Sequence, residues 1–265
     1  MKYEFSLGTD TGLQRANNED SIVIDESRQL AVLADGMGGY NAGEVASGMA
    51  TAFICTELSR WLVEAGAQAS ARDMRRAMEI CVDNANRAIL HAAHTNPQYS
   101  GMGTTLVVAV FQDERVLVGH IGDSRCYRWR GSHLSRITRD HSLLQEQIDA
   151  GLITPQQASV SVHRNLVTRA LGVEDTVLLE VGDHRVEPGD LYLLCSDGLT
   201  DMVDEEAIAG LLDQEMTLPD KARALIARAN AQGGRDNISV ILVQAAGAEG
   251  RRGLISRLLG KPGGA

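Results

Sequence analysis

Apolar residues recur along this 265-residue chain in two periods, and the shorter period predicts β-strands. Seven segments are rich in Val, Ile and Leu and are either continuous or alternate with polar residues. Consecutive segments in the middle of the chain are joined by short turns such as QDER and WRGS, which favours antiparallel pairing over β-α-β crossovers. The predicted strands lie at residues 21–25, 30–34, 104–111, 115–121, 125–130, 190–195 and 238–244.

The longer period, of three to four residues, predicts helices at residues 43–65, 72–94 and 218–231. Long helices combined with antiparallel strands place the chain in the α+β class. No internal repeat is visible, and residues 1–245 are predicted to form one domain.

Two segments differ from this pattern. Residues 141–172 are polar, carry helix-start and turn signals and interrupt the order of strands, which predicts a flap beside the main domain. From residue 246 the sequence GAEGRRGLISRLLGKPGGA is glycine-rich and basic, which predicts a C-terminal tail over 246–265. A frayed terminus is the favoured interpretation of this tail, and a short amphipathic turn that docks on a membrane or partner is the alternative.

The composition indicates which binding partners and which cellular compartment to expect. The formal net charge of -10 argues against a chain that binds nucleic-acid backbone, because such binding depends on Lys and Arg. The cysteines form no CxxC pair and lie mostly in apolar runs, which is typical of buried thiols in a reducing cytoplasm. We expect neither a signal peptide nor a transmembrane segment, because no apolar run is long enough. The four cysteines are Cys55, Cys81, Cys126 and Cys195.

Four aspartates occur where an apolar segment ends or begins. Asp35 follows LAVLA, Asp123 follows VLVGHIG, Asp197 follows LYLLCS and Asp236 precedes NISVILV. A single Asp-Gly after a strand is typical of a turn. Four carboxylates gathered at one rim of a sheet would repel one another unless a divalent cation neutralised them, and oxygen ligands suit Mg²⁺ or Mn²⁺.

The glycine-rich loop ADGMGG, residues 34–39, precedes a predicted helix, as phosphate-binding loops often do. Here the loop begins with Asp35, which would repel a bare phosphate. We therefore interpret it as a metal seat in which Gly36 offers its carbonyl oxygen, while Gly38 and Gly39 allow a tight exit into the helix.

Positive charge for a phosphate is found in the segment RANNED, residues 15–20. Arg15 lies four residues before Glu19, and a surface ion pair is the plainer interpretation of that spacing. Beside the aspartates, we expect the guanidinium of Arg15 to bind phosphate oxygens and Glu19 to add another hard ligand.

These residues and their order closely resemble those of the metal-dependent type 2C serine/threonine protein phosphatases, in particular the compact bacterial members. The resemblance implies two packed antiparallel sheets flanked by helix pairs, a metal centre at one edge, and hydrolysis of phosphoserine and phosphothreonine in proteins. The matching segments are RANNED (15–20), ADGMGGYNAGEVAS (34–47), GMGTTLV (101–107), GHIGDSRCYRWR (119–130), TRDHSL (138–143), LLCSDGLTDMV (193–203) and GGRDNISVILV (233–243).

The resemblance also implies the metal ligands. Asp35 matches a carboxylate that bridges two metal ions, with the carbonyl of Gly36 completing one coordination shell. Asp197 and Asp236 match ligands of the first ion, and Glu19 matches a ligand of the second.

Four further positions match residues around those ions. Asp20 matches a residue that orients the water network, Arg15 the arginine that clamps phosphate, and Asn237 a neighbour of the metal site. Asp123 matches the position that, with Asp197, holds a third and weaker ion in bacterial members.

The chemistry implied by the resemblance is attack on phosphorus by a metal-bridging hydroxide, without a phosphoenzyme. The implied partners are phosphoproteins and a eukaryotic-like Ser/Thr kinase, and the chain is expected to be a monomer. Animal members carry a histidine after the bridging Asp-Gly as a proposed general acid, whereas this chain has Met37. His120 and His141 lie near the matching motifs, but a histidine within an apolar strand, as His120 is, is more often a core residue.

Two other functions are compatible with parts of this sequence. A phosphatase-like domain could bind phosphopeptides without turnover, although the presence of every matched ligand argues against it. A nucleotide-binding enzyme built on the GMGG loop is disfavoured by Asp35 and by the lack of β-α-β order.

Overall fold

The structure is a computed structural model that describes residues 1–38, 42–66, 69–159 and 166–246. Its strands form two antiparallel sheets. The first sheet has the order β1-β11-β10-β7-β8, and the second has the order β2-β3-β5-β6-β9, with the short β4 paired to β3. The strands are β1 (Lys2–Asp10), β2 (Asp20–Asp25), β3 (Leu30–Met37), β4 (Gly103–Thr104), β5 (Leu106–Gln112), β6 (Arg115–Ile121), β7 (Arg125–Arg130), β8 (His133–Arg136), β9 (Glu180–Arg185), β10 (Leu191–Cys195) and β11 (Ile238–Ala246).

Helices cover the outer face of each sheet. Helices α1 and α2 pack on the second sheet, and α6 and α7 pack on the first. The helices are α1 (Ala42–Ala65), α2 (Ala71–Thr95), α3 (Leu143–Asp149), α4 (Pro155–Ser159), α5 (Asp197–Thr200), α6 (Glu205–Leu212) and α7 (Leu218–Ala231), with a 3-10 turn at Pro97–Tyr99.

The layers enclose three apolar clusters. The middle cluster fills the space between the sheets, where the rings of Phe111 and Tyr192 meet edge to face at 5.3 Å. The two outer clusters lie under the helices, and in α1 the buried stripe of Ala42, Ala46 and Ala50 lets the helix approach the second sheet closely. The predicted α+β class and the α-β-β-α sandwich are confirmed.

The segments that the periodicity missed are mainly edge strands. β1 and β8 are the edges of the first sheet, and β9 is one edge of the second. An edge strand faces solvent with much of its length, so charged and small residues replace the apolar run that marks a central strand. β9, with the sequence EVGDHR, shows this substitution most clearly.

One end of the sandwich collects several strand ends. β2 begins there, β3 and β10 end there, and β11 begins there, while the turn between β6 and β7 closes the same end. Neighbouring antiparallel strands therefore deliver the acidic residues of different chain segments to one place.

The flap predicted over 141–172 falls partly within the described residues and begins with α3 and α4. Bridges from Ser142 to Val167 and from Thr104 to Leu171 tie its base to the main domain. Its role as a flap stays a prediction, and most of the predicted tail, residues 247–265, lies outside the described residues. Within the described ranges, none of the helices combines the length and apolarity that crossing a membrane needs.

Arg130 joins the two sheets. Its guanidinium donates two hydrogen bonds of 2.6 Å to the buried carboxylate of Asp190 and one of 2.9 Å to the carbonyl of Arg185 in β9. Asp190 is 1% exposed, so this ion pair is shielded from water on the side of the carboxylate.

We predict that Arg130→Met lowers the free energy of unfolding by about 3 kcal/mol or more, because it leaves the Asp190 carboxylate buried without a cation. The matched control is Arg115→Met, whose exposed pair with Asp183 at 3.4 Å should contribute less than about 1 kcal/mol. Urea unfolding of the three proteins measures both values. Equal losses for the two variants would show that Arg130 does not hold the sheets together.

Candidate metal centre

The acidic end of the sandwich is built by adjacent strands. Asp20 and Asp35 are direct cross-strand partners at the ends of β2 and β3. Asp197 follows β10 as the first residue of α5, and Asp236 lies two residues before β11. Asp123 occupies the turn between β6 and β7. Together with Glu19 these residues form the group that we call the carboxylate cluster.

The backbone of Asp35 is fixed by two threonines. Its N–H donates to Oγ1 of Thr105 at 3.0 Å, and its carbonyl accepts from the N–H of Thr105 and from Oγ1 of Thr104, both at 2.9 Å. The position of this carboxylate is therefore set before any ligand binds, which is the condition for a preformed site.

Asp20 lies against the same strand ends, and only one of its two carboxylate oxygens has a hydrogen-bond partner among the described residues. Its Oδ2 accepts a 2.8 Å hydrogen bond from Ser196, whose hydroxyl in turn accepts from the N–H of Ser239 at 3.0 Å. Its Oδ1 is buried and has no hydrogen-bond partner within the described residues. Burial raises the pKa of the Asp20 carboxyl to about 6, despite the hydrogen bonds that favour its charged form.

Burial and mutual repulsion raise the pKa of several carboxylates in the cluster. Burial raises the pKa of Asp35 well above its ordinary value, and the charges of Asp20 and Asp197 raise it further. The pKa of Asp197 is raised by burial and then by Asp123. Burial also raises the pKa of Asp123 to about 6, with a contribution from Asp140. Such a group of oxygen donors, with one buried oxygen unpaired, fits a divalent cation of the Mg²⁺ or Mn²⁺ type.

Gly36 is required by close packing. A Cβ atom at this position would lie 2.1 Å from the carbonyl oxygen of Gly43 in α1 and 2.6 Å from that of Glu19. The N–H of Gly36 donates to the same Glu19 carbonyl at 3.1 Å. The absence of a side chain thus lets β3, the start of α1 and the Glu19 segment meet, which places the Glu19 carboxylate in the cluster.

Arg15 stands at the exposed margin of the cluster. Its Nη2 is 2.6 Å from Oδ2 of Asp236, and its side chain is 51% exposed. The ion pair expected for this arginine is therefore made with Asp236, across more than 200 residues of sequence, and not with the nearby Glu19.

Asn237 uses its side chain to hold the loop that carries Glu19. Its Oδ1 accepts from the N–H of Glu19 at 2.8 Å, and its Nδ2 donates to the carbonyls of Thr11 and Asn17, both at 2.9 Å. Because both ends of the amide are occupied, Asn237 is assigned a positioning role beside the cluster.

The structure brings all nine predicted residues together at one end of the sandwich, and it adds others that the sequence did not reveal. Asp201 raises the pKa of both Asp123 and Asp197. Its position four residues after Asp197 in SDGLTD, one helical turn away, is the signal that could have identified it. Ser196 and Thr105, which hold Asp20 and Asp35, carry no comparable signal.

The sequence profile of the family described as Protein phosphatase 2C matches residues 8–232. The chain belongs to this family. A serine/threonine phosphatase, stp, from Listeria innocua is 37% identical over 239 residues, which cover 89% of this chain and 93% of that protein. The protein phosphatase PhpP from Streptococcus pneumoniae is also 37% identical, over 91% of this chain and 96% of that protein.

Solved structures of the family agree with the fold of this phosphatase. The serine/threonine phosphatase PstP/Ppp of Mycobacterium tuberculosis superimposes with a TM-score of 0.85 at 36% identity, covering 93% of this chain and all of that one. The catalytic domain of PstP in complex with two manganese ions gives a TM-score of 0.79 at 35% identity, over 92% of this chain and 99% of that one. The predicted family, and the prediction that the chain is an enzyme of the protein serine/threonine phosphatase class, are confirmed.

The electrostatics of this phosphatase 2C chain lead to a stability prediction. Because the pKa of Asp35 is raised in the folded state, its ionised form disfavours folding without metal. This cost is absent below the ordinary carboxyl pKa of about 4 and grows as the pH rises. We predict that in EDTA at about pH 8 Asp35→Asn is more stable than the wild type by on the order of 1 kcal/mol or more, and that the difference shrinks towards about pH 5.

The control for this prediction is Asp25→Asn at the other end of β2. Burial acts on the Asp25 carboxyl too, but hydrogen bonds from Ser59 and Ser27 outweigh it and lower its pKa, so its replacement should cost stability under the same conditions. Chemical denaturation in EDTA and in excess Mn²⁺ measures the effect. Excess Mn²⁺ should reverse the order of Asp35→Asn and wild type, and a less stable Asp35→Asn in EDTA would contradict the account.

Proposed function

We propose that the chain hydrolyses phosphoserine and phosphothreonine in proteins with the help of Mn²⁺ or Mg²⁺, held as two tight ions and a third, weaker one. The observation that carries this proposal is a cluster of partly buried, mutually repelling carboxylates around Asp35 with a half-exposed guanidinium at its margin. The relatives named as serine/threonine phosphatases and the manganese complex of PstP support it.

The cluster contains a suitable ligand for each ion. Asp35, partly buried at the centre, would bridge two ions, with Asp197 and Asp236 on one side and Glu19 on the other. The carbonyl of Gly36 would complete one shell. When bound, such ions supply a deprotonated water near neutral pH and neutralise charge on the phosphate.

Hydrolysis by direct attack of water fits the residues around the centre. Ser196, a hydroxyl next to Asp197, is fully buried and already donates to Asp20, which makes it unsuited to act as a nucleophile. Asp20 in turn presents a buried, unpaired oxygen that can accept from water and orient it. Both observations fit the proposed attack by water, without a phosphoenzyme.

Arg15 supplies an exposed positive charge beside Asp236 at the margin of the cluster. Its planar guanidinium can donate to two phosphate oxygens at once, and its exposure leaves room for a substrate. As the P–O bond to the leaving group breaks, the same donors stabilise charge on the equatorial oxygens.

Release of a serine or threonine alkoxide requires a proton. Met37 follows Gly36 and carries none, so we propose that water held beside Asp123 provides it. General-acid help of this kind is typically worth about 10²–10⁴ in rate. This assigns Asp123 to leaving-group departure and predicts that good leaving groups depend on it less.

The proposal extends to the substrates, the compartment and the oligomeric state of the protein. Phosphoproteins, including the targets of a eukaryotic-like Ser/Thr kinase, would be substrates, and the segment 141–172 would help select them. The acidic net charge of -10 favours a monomer that avoids nucleic acid, and the free cysteines suit a reducing cytoplasm. A phosphopeptide-binding domain without turnover is the competing function, and the measurement of phosphate release below separates the two.

We predict Mn²⁺-dependent release of phosphate from a phosphothreonine peptide, and its loss in EDTA. Asp197→Asn and Asp236→Asn should each lower kcat by about 10² or more, because each removes a charged ligand. Asp25→Asn, at the far end of β2, should lower it by less than about threefold.

Three results would contradict this assignment. Activity that survives excess EDTA would exclude the metal centre, and tight phosphopeptide binding without phosphate release would favour the binding domain. Equal losses in Asp25→Asn and Asp197→Asn would show that the proposed ligands have no special role.

We predict that Arg15→Ala raises KM for the phosphopeptide and weakens inhibition by inorganic phosphate by about tenfold, since it removes a charge-assisted clamp. Calorimetric titration with Mn²⁺ should show the two tight ions retained. Loss of tight Mn²⁺ binding in this variant would mean that Arg15 supports the fold of the centre and does not primarily bind phosphate.

A further inference from the structure

Two buried histidines lie behind the turn that carries Asp123. His120 and His141 are 3% and 6% exposed, and their rings stack at a centroid distance of 4.7 Å and an angle of 13°. Glu180 lies beside them, with its Oε2 3.3 Å from Nε2 of His141. By residue type the three form a candidate metal site.

The geometry excludes a shared ion between these rings. A metal ligated by imidazole lies in the ring plane, and two nearly parallel stacked rings have no common plane in which to hold it. Nε2 of His120 is also unavailable to a metal ion, because it donates a hydrogen bond to the carbonyl of Arg139 at 2.7 Å. The pair must therefore serve another purpose.

His141 binds both main-chain groups of Gly122. The main-chain N–H of Gly122 donates to the ring atom Nδ1 of His141 at 3.1 Å. The main-chain N–H of His141 donates to the carbonyl of Gly122 at 2.8 Å. Since Nδ1 accepts, the proton of the neutral ring lies on Nε2, where Glu180 accepts it. The stacking of His120 fixes the plane of the ring.

Gly122 is the residue immediately before Asp123. Its φ of +98° and a Cβ position only 2.7 Å from the side chain of Thr105 leave no room for another residue type. On the far side of the turn, the hydroxyl groups of Ser124 and Thr105 form a hydrogen bond of 2.7 Å. The Asp123 turn is thus held between His141 and the threonine that also fixes Asp35.

His141 is also bound to the base of the flap. Its carbonyl accepts from the N–H of Thr168 at 2.8 Å, and two residues later the N–H of Leu143 donates to the carbonyl of Leu166 at 2.9 Å. One residue therefore connects the returning chain of the flap to the backbone before Asp123.

We propose that His141 is a positioning residue that holds Asp123 in place and couples it to the base of the flap. The inference rests on the proposed function of Asp123 in leaving-group departure. Glu180, 54% exposed, contributes by selecting the tautomer in which Nδ1 accepts. A substrate that moves the flap base would displace Gly122, and with it the carboxylate that serves the reaction.

Two amide replacements at position 141 separate the contacts of this ring. In His141→Asn the side-chain oxygen reaches the place of Nδ1 and still accepts from Gly122. In His141→Gln the amide reaches the place of Nε2, so it keeps Glu180 but leaves the buried N–H of Gly122 unpaired. The matched control is His184→Gln, the same replacement at a partly buried histidine of β9.

We expect His141→Gln to lower kcat on a phosphothreonine peptide by about tenfold or more, with KM unchanged within about twofold. Its rate on p-nitrophenyl phosphate, whose phenolate leaves without a proton, should fall by less than about threefold. His141→Asn and His184→Gln should stay within about threefold of wild type on both substrates. Asp123→Asn should reproduce the pattern of His141→Gln.

Three further readouts test coupling independently of rate. In the Asp123→Asn background, adding His141→Gln should change kcat by less than about twofold, because both act on one group. Titration with Mn²⁺ should show His141→Gln weakening only the weakest binding step, as Asp123→Asn does. Nitrogen NMR of the metal-free wild type should show the Nε2–H tautomer of His141, which does not require any variant to fold.

The inference is overturned if His141→Gln impairs both substrates equally, if its effect multiplies with that of Asp123→Asn, or if His141 carries its proton on Nδ1. An inactive wild type would overturn the proposed function alone, since the Mn²⁺ titration and the tautomer still decide whether His141 positions Asp123.

Discussion

The carboxylate cluster can exist only because the surrounding backbone is held rigidly enough to keep like charges together. In a flexible loop, repelling carboxylates would move apart into water, and no strong cation site would result. Here Asp35 and Asp20 are opposite one another in a hydrogen-bonded sheet, and Asp197 and Asp236 lie at the ends of neighbouring strands. The hydrogen-bonded sheets therefore hold the carboxylates close together at one end of the sandwich, despite their mutual repulsion.

The residues around the cluster hold the carboxylates in place against their mutual repulsion. Thr105 binds both main-chain groups of Asp35, Ser196 fixes Asp20, and Asn237 holds the loop before Glu19. All of them are uncharged and buried, and all act on backbone or carboxylate positions. Because the backbone keeps the carboxylates shielded from water and close together, their pKa values are raised, and a cation that relieves the repulsion binds tightly.

Much of this architecture could be predicted from the sequence because central strands and acidic strand ends have strong local signals. β3 begins with the apolar run LAVLA, which Asp35 follows directly, and β10 is the apolar run LYLLC, which ends two residues before Asp197. The edge strands were missed because solvent exposure removes the apolar pattern.

The missing parts of the site have a different cause, since they depend on contacts between distant segments. Thr105 meets Asp35 across 70 residues, and Asn237 meets Glu19 across 218. A threonine or asparagine with such a role has no local pattern that distinguishes it from a surface residue. That the carbonyl of Gly36 binds a metal ion stays a prediction, and the close approach of α1 gives a further reason, invisible in the sequence, why this position must be glycine.

The proposed activity requires that the carboxylate cluster is a metal centre. Anomalous diffraction at the manganese edge, on crystals of this chain grown with Mn²⁺, tests it directly. The account predicts two strong peaks in contact with the carboxylate of Asp35, and a weaker one between Asp123 and Asp197. Strong peaks elsewhere, such as beside His120 and His141, with none at Asp35, would contradict it.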